Sequence, residues 1–503
     1  MQGYTTLYTL SNLPTAYFFV GAGFLWLVFR FFSQKNLRHI PTAGGPPLPI
    51  VSYIGLYNFW TNGTQILQHA YRQHKGRAFK VPMVDRWLVV LPGKQLVDDI
   101  QRLPDDTVDP AIMEFFGVHH MLGVDWHDDP LYMPIVRKLT RNTELVFPDM
   151  VDEIVVTCRE LIPAKNDEWH PVHLYPAMHM LVARASNRVF VGFPMCRQGG
   201  YVDMMAHFAD DMVQAITTLS IVPDFMRGFV ARKVTVMDQR IQLCLEYLQA
   251  TIDDRKAMMA RFGKDWTDKP NDMIQWVIDE TMARKRGDDE IARLVLFING
   301  SAIATTAHHL IEAVYDICVR PDLADMLREE VEAAVAEDGW TRAAMAKMRK
   351  LDSFLRESVR LHGTATLTMF RNILKPVTLS DGTFIPAGTT ISAPTLATHF
   401  DEDNYPDAVQ FDALRFYKSG DKVQQQLPTT TADYLTFGHG KYACPGRFFA
   451  QNELKAMMAH MLVHYDIRSA CEGVRPADVH RGFSVHPDMD ARVLFRKRKV
   501  DFD

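Results

Sequence analysis

Residues Phe437–Phe449 read FGHGKYACPGRFF, and the rest of the chain is organised around them. Gly438 and Gly440 precede Cys444, and Gly446 follows it. Only Gly takes a positive φ without strain, so the stretch predicts a tight backbone turn. Pro445 lacks an N–H and has a preset φ, which suits the first position of a helix. From Phe448 to Leu462 the apolar positions recur at helical spacing. Cys444 is therefore expected in a tight loop at a helix N-terminus. There, free N–H groups and the helix dipole stabilise a thiolate.

A thiolate held in this way can be the single protein ligand of an iron porphyrin. Phe437, seven residues back, can cover the sulfur side. The same residues also fit a cysteine simply buried in a glycine turn. Zinc is disfavoured, because no second Cys stands at the spacing such sites use. The stretch resembles the heme-binding signature of the cytochrome P-450 superfamily, F-x-x-G-x-R-x-C-x-G. Phe437, Gly440, Cys444 and Gly446 match it. Tyr442 stands where the signature has a basic residue. In the family that residue often meets a heme propionate, and Tyr can do so only as a neutral donor. The resemblance implies that Phe437, Gly438, Tyr442, Cys444 and Gly446 bind heme b, with Cys444 on the iron.

The chain has 503 residues, 47 % hydrophobic, with a net charge of -5, enough for a large core. There is no basic block and no basic helix interleaved with aromatics, so nucleic acid is not an expected partner. Six scattered cysteines suggest free thiols in a reducing compartment.

Residues 1–29 carry no charged side chain, and 13–29 is largely apolar, followed by Arg30, Lys35 and Arg38. With Phe31 and Phe32 the run approaches the roughly 20 residues that span a bilayer. The uncharged start argues against a cleaved signal peptide, and the basic residues after the run place the rest of the chain in the cytoplasm. We therefore expect a membrane anchor over 1–33, a proline-rich hinge over 34–50 and a catalytic domain over 51–503. Ile40–Ile50, IPTAGGPPLPI, gives the hinge its stiff extended character.

Residues 79–93 predict two short strands with a turn at Val84–Asp85. Thr107–Val124 is either a loop over a pocket or an ordinary packed connection. A helix is expected to start after Pro134, carrying Arg137, and another to cover 172–191, stopped by Gly192 and Pro194. Residues 203–262 read as helical with a break over 221–233. That break is either a membrane-touching lid or a helix corner. A long helix is expected over 291–319, capped by Asp288 or Asp289 and roughly 40 Å long. Its middle, NGSAIATTAHH, leaves a bare surface at Gly300, Ser301, Ala302 and Ala304. A flat guest can lie there, or another helix can pack closely. Two further helices are expected over 323–335 and 341–361, a sheet over 376–398, and a hairpin turn at Phe483–Val485.

The remaining motifs fall in the family order. The middle of the long helix resembles the oxygen-activating motif (A/G)-G-x-(D/E)-T-T. Thr305 stands for the alcohol that supplies protons, followed by Thr306, and Ala304 replaces the acid. Protons must then come from water, from Thr306, or from His308 or His309. Glu357 and Arg360 resemble the E-x-x-R pair, with Arg415 as its third, structural member. Arg137 and Arg371 stand where the family has propionate partners, although Met133 replaces the aromatic that often precedes the first. His399, Asp401, Tyr405 and Pro406 match A-x-H-x-D-x-x-x-Y-P-D.

The resemblance implies a mainly α fold with a small β-sheet subdomain, shaped as a triangular prism, plus one N-terminal transmembrane helix. It implies a monooxygenase at the endoplasmic reticulum membrane. NADPH serves indirectly, through a membrane-bound NADPH-cytochrome reductase, with cytochrome b5 as an optional second donor. Phe115, Phe116, Val295, Ile298, Ala302, Leu367 and Phe483 are the expected pocket residues, and they suit a hydrophobic ligand. The segments ARASNRVFVGFP and PIVRKLTRN are similar to fungal kaurene-oxidase-like and indole-diterpene oxidases, which implies a terpenoid of secondary metabolism. Two other readings stay open: a heme-thiolate isomerase or dehydratase needing no oxygen, favoured by Ala304, and a non-catalytic heme-binding membrane protein.

Overall fold

The computed structural model describes residues 37–47, 52–84, 86–124, 129–220, 222, 224–263, 266–419 and 425–499. The expected anchor over 1–33 lies outside them. In chain order the elements are α1 (Ser52–Gln73), β1 (Phe79–Pro82), β2 (Trp87–Val90), α2 (Lys94–Arg102), β3 (Val108–Pro110), α3 (Ile112–Phe115), α4 (Val118–Leu122), α5 (Tyr132–Leu161), β4 (His170–His173), α6 (Leu174–Phe190) and α7 (Gly199–Ser220). There follow α8 (Asp224–Val234), α9 (Met237–Phe262), α10 (Met273–Ala283), α11 (Asp288–Ile317), α12 (Pro321–Asp338), α13 (Arg342–Lys347), α14 (Arg349–Leu361), β5 (Leu367–Ile373), β6 (Val377–Thr378), β7 (Phe384–Ile385) and β8 (Thr390–Pro394). The chain closes with α15 (Thr395–His399), α16 (Arg447–His464), β9 (Tyr465–Ser469), β10 (Val479–Arg481), β11 (Ser484–His486) and β12 (Arg492–Lys497). The fold is mainly helical with small sheets, as expected.

Two compact units divide the chain. The smaller takes Met1–Ala111 with Phe370–Pro394, and the larger takes Ile112–Met369 with Thr395–Asp503. In the smaller, the strands run β1-β2-β8-β5-β3. β1 and β2 pair antiparallel with Phe79 opposite Val90, and β2 pairs parallel with β8. All four residues of each of β1 and β2 are buried, which explains the unbroken apolar run of β2. Lys80 is buried among them, and its Nζ donates to the carbonyls of Leu37, at 2.7 Å, and Ile40, at 2.5 Å. Burial pulls its pKa down to about 8. Leu37, Ile40 and Ala43 are buried too, so the start of the proline-rich run docks on the body of this unit.

In the larger unit α11 is the axis, packed against α6, α7, α9, α10, α14 and α16. Its thirty residues give about 45 Å of helix. Gly287, not an aspartate, is the N-cap. Asp288, Asp289 and Glu290 lie inside the first turn, where their charges complement the helix dipole. By length and hydropathy α11 resembles a membrane span. However, 72 % of its most apolar window is buried inside the protein, which marks it as a core helix.

Several boundaries differ from the sequence reading. α5 begins at Tyr132, because a proline in the first turn, here Pro134, removes no bond the helix needs. Val172 belongs to β4, paired with Val493, so α6 starts two residues later. The expected break over 221–233 is mostly the helix α8. Its pattern is inverted: Phe225, Phe229 and Val234 are exposed and Arg227 is buried. The single helix expected over 341–361 is split at Met348.

Candidate active site

The candidate site, Arg371 apart, lies within the larger unit. Gly438 and Gly440 take φ values of 68° and 77°, the left-handed turn the sequence requires. The turn is closed by Gly438 N–H on the Leu435 carbonyl at 2.8 Å, and by Cys444 N–H on the Phe437 carbonyl at 2.8 Å. A single 3-10 turn, Gly440–Tyr442, carries the chain to Cys444, and α16 begins at Arg447. The Cys444 side chain is open to a water-sized molecule, yet burial pushes its thiol pKa up. The open face of the sulfur therefore looks into the interior and not into bulk solvent. Opposing the burial, the N–H groups of Gly446 and Arg447 hydrogen-bond to the sulfur, and the Arg447 guanidinium adds its charge. A side chain at Gly446 would place its Cβ 4.0 Å from the sulfur. A buried sulfur with one open face and two amide donors suits a thiolate bound to a metal cation.

The other predicted residues fall into three groups. The first surrounds the loop. Phe437 is half-buried against the core, and Tyr442 lies under Lys441, whose Nζ is 5.3 Å from the ring centroid. Helix α5 flanks the loop: Val136 faces Gly446 at 3.9 Å from an added Cβ, and Thr140 Oγ1 donates to the Pro445 carbonyl at 3.3 Å. Arg137 lies on this same stretch of α5 and is exposed. Arg371 sits in the smaller unit, buried in β5 opposite Pro110, with Nη1 donating to the Phe370 carbonyl at 2.7 Å.

The second group is the α11 strip. Ser301 and Thr305 are exposed in the middle of an otherwise buried helix, and Ala302 and Ala304 are half-buried. Thr305 Oγ1 donates to the Ser301 carbonyl at 2.9 Å. Ile298 lies on the same face, and Val295 continues it into the core at full burial. Thr306, about 100° further round the helix, is buried. Gly300 does not offer a bare surface: an added Cβ would come 2.4 Å from Met212 Sδ and 3.0 Å from Phe208. Close helix packing fills that position, and the exposed strip consists of Ser301 and Thr305 with Ala302 and Ala304 beside them. The third group is aromatic. The rings of Phe115 and Phe116 lie 5.8 and 5.7 Å from that of Phe483, at the turn between β10 and β11. Leu367 is buried at the start of β5.

The charged triad assembles as expected. Arg360 holds Glu357 through Nε at 2.7 Å and Nη2 at 2.8 Å, and both are fully buried. Arg415 Nε reaches Glu357 Oε1 at 3.0 Å, and its Nη1 ties down the Pro406 carbonyl at 2.6 Å. The sequence marks His399 only as part of a pattern, and its role emerges from its two nitrogens. Leu435 N–H donates to His399 Nε2 at 2.9 Å, so Nδ1 carries the proton and donates to the Arg360 carbonyl at 2.9 Å. Leu435 is the residue whose carbonyl closes the cysteine turn. The imidazole thus joins the triad to the loop.

Burial, reinforced by the Arg360 charge, pulls His399 down to about 3. An unfolded histidine takes its proton near 6.5. Between those values the unfolded chain binds more protons, so stability falls as pH drops through that window and is fully present above it. We expect acid to loosen the loop, which can be monitored through the absorption of the bound cofactor from pH 7 to 4. A His399→Gln protein should show a flatter pH profile, and an identical profile would remove His399 from this role.

A family model described as "Cytochrome P450" matches residues 43–490. The chain belongs to the cytochrome P-450 family. This P-450 is 36 % identical to "Cytochrome P450 monooxygenase 151" of Postia placenta, over 97 % of this chain and 99 % of that one. It is 39 % identical to "Cytochrome P450 monooxygenase 71" of the same fungus, over 94 % and 96 %. It is 31 % identical to "Cytochrome P450 monooxygenase CYP512U6" of Ganoderma lucidum, over 92 % of each. It is therefore a heme-thiolate monooxygenase, of a family that draws electrons from NADPH through a redox partner. The free thiols also hold: all six cysteines are unpaired, four of them buried.

Proposed function

We propose that this P-450 oxidises a hydrophobic terpenoid in fungal secondary metabolism, with Cys444 as the ligand to heme iron. The Cys444 loop carries the proposal, because its open sulfur face and two amide donors fit a thiolate on iron. Heme supplies, when bound, one-electron and oxygen chemistry. The chain's own residues then have distinct tasks. Gly446 and Arg447 N–H groups stabilise the thiolate, Phe437 shields it, and Tyr442 and Arg137 are the propionate candidates of the larger unit. Phe115, Phe116, Ile298, Ala302, Leu367 and Phe483 exclude water and favour an apolar substrate. Thr305 holds a hydroxyl on the exposed strip of α11. With Ala304 beside it, no carboxylate stands at the motif's acid position, and water, Thr306, His308 and His309 are the proton sources left to that hydroxyl.

We further propose anchorage at the endoplasmic reticulum by residues 1–33, with an NADPH-cytochrome reductase as electron donor and cytochrome b5 as an optional second one. The outward Phe225 and Phe229 of α8, beside the basic Arg232 and Lys233, support contact with a membrane surface near the substrate entrance.

Microsomes containing the protein and a fungal reductase should convert members of a terpene panel to products with one added oxygen atom, only with NADPH and oxygen. Conversion without either would instead establish the isomerase or dehydratase reading. Thr305→Ala should keep substrate binding but lower product formed per NADPH by roughly tenfold or more, with hydrogen peroxide released instead. Unchanged coupling would remove Thr305 from proton supply.

A further inference from the structure

Five ionisable side chains outside the candidate site meet inside the larger unit. Arg475 donates from Nε to Asp316 Oδ1 at 2.7 Å, from Nη1 to Asp478 Oδ1 at 3.0 Å, and from Nη2 to Glu312 Oε2 at 2.5 Å. His362 Nδ1 lies 2.7 Å from Asp478 Oδ2, and its Nε2 lies 3.6 Å from Asp316 Oδ1. His308 Nε2 adds a bond to the His362 carbonyl at 2.8 Å. The Glu312 and Asp316 side chains are each 1 % exposed.

A metal ion is one conceivable occupant, since Glu312, His362 and Asp478 offer ligand atoms within 4.8 Å of one another. Arg475 argues against it. Its guanidinium already faces two of the three ligands and would repel a cation. A buried charge cluster of this kind adds little net stability, but it fixes geometry, because any other arrangement leaves a charge unpaired.

The geometry it fixes is legible in the chain. His362 and Asp478 begin two segments that converge on Phe483. From His362 the chain runs to Thr366, whose N–H donates to the Phe483 carbonyl at 2.8 Å and whose Oγ1 does so at 3.1 Å. Val485 N–H returns a bond to the Thr364 carbonyl at 3.0 Å. From Asp478 the chain enters β10, whose three residues are all exposed. A lone two-stranded hairpin is marginal in water, and β10 buries none of its own residues, so its position depends on the segments around it.

We infer that Arg475, Asp478 and His362 are positioning residues that set where the Phe483 ring stands in the substrate pocket, and so determine substrate fit. The inference rests on the proposed pocket role of Phe483. Asp478→Asn keeps the side-chain shape and removes the charge, while Arg475→Lys keeps the charge and loses the fork.

Binding of the apolar azole clotrimazole to the heme-loaded protein can be followed by its Soret shift. Asp478→Asn should weaken it by about five- to tenfold, and Arg475→Lys by less. In a Phe483→Ala background, Asp478→Asn should add nothing further. Hydrogen exchange over 479–486 should quicken by about tenfold in Asp478→Asn and Arg475→Lys, with or without azole, while α11 and α16 keep their protection. Lower yield with unchanged azole affinity and unchanged exchange in either variant would overturn the inference, as would additive effects in the double variant. If Phe483→Ala left azole binding unchanged while the exchange effect remained, the pocket role of Phe483 would be the part that fails.

Discussion

Cys444→Ser protein, reduced and exposed to carbon monoxide, is expected to lose the thiolate-type Soret band and all NADPH-dependent product. Serine keeps the size of the side chain and its place in the turn, so the loop should persist. It lacks a sulfur that can be held as an anion by the Gly446 and Arg447 N–H groups. Its hydroxyl ionises far above neutral pH, and two amide donors do not close that gap. The effect is thus a change of iron ligand and not of fold, and far-ultraviolet circular dichroism should be unaltered. A retained thiolate band would show that another cysteine binds the iron. Cys471 is the other exposed one. That outcome would dismiss every role assigned around the 437–449 loop.

Glu357→Gln should produce the second large effect, this one on assembly. The carboxylate accepts from Arg360 twice, from Arg415 Nε and from the Asp412 N–H at 3.1 Å. A neutral amide leaves one fully buried and one largely buried guanidinium without a counter-charge. Loss of one partner from a buried pair costs about 3–5 kcal/mol. Arg360 also donates to the His399 carbonyl at 2.6 Å, so its displacement disturbs the imidazole that carries Leu435. Little heme-loaded protein should accumulate, and what does should unfold at a distinctly lower temperature. Glu357→Gln combined with Arg360→Met should recover part of the loss, because the fully buried charge is removed with its partner and only that of Arg415 is left. Normal heme incorporation in Glu357→Gln alone would show that the triad does not support the loop.

What the sequence discloses depends on how local the cause is. The cysteine turn is legible because Gly438 and Gly440 permit a left-handed backbone, and Pro445 fixes its own φ, each at its own position. Glu357 and Arg360 are legible because three residues on a helix bring side chains together. α8 reads as a break because its apolar residues point outward, against the pattern a buried helix writes. Gly300 is legible as a bare spot, but only the structure supplies Met212 and Phe208 to fill it. The cluster of Glu312, Asp316, His362, Arg475 and Asp478 leaves no local trace. Its members come from three distant segments, and no spacing or propensity links them before the chain has folded.

Lys80 has a consequence for how the protein is moored. By gripping the carbonyls of Leu37 and Ile40 it makes these residues part of the smaller unit, so they are not slack chain. On the proposed anchoring, the leash between residue 33 and Leu37 is four residues long, at most about 14 Å even when fully extended. The smaller unit is then berthed close to the point where the chain leaves the bilayer, and a lipophilic substrate dissolved in that bilayer has only a short way to travel to reach the enzyme.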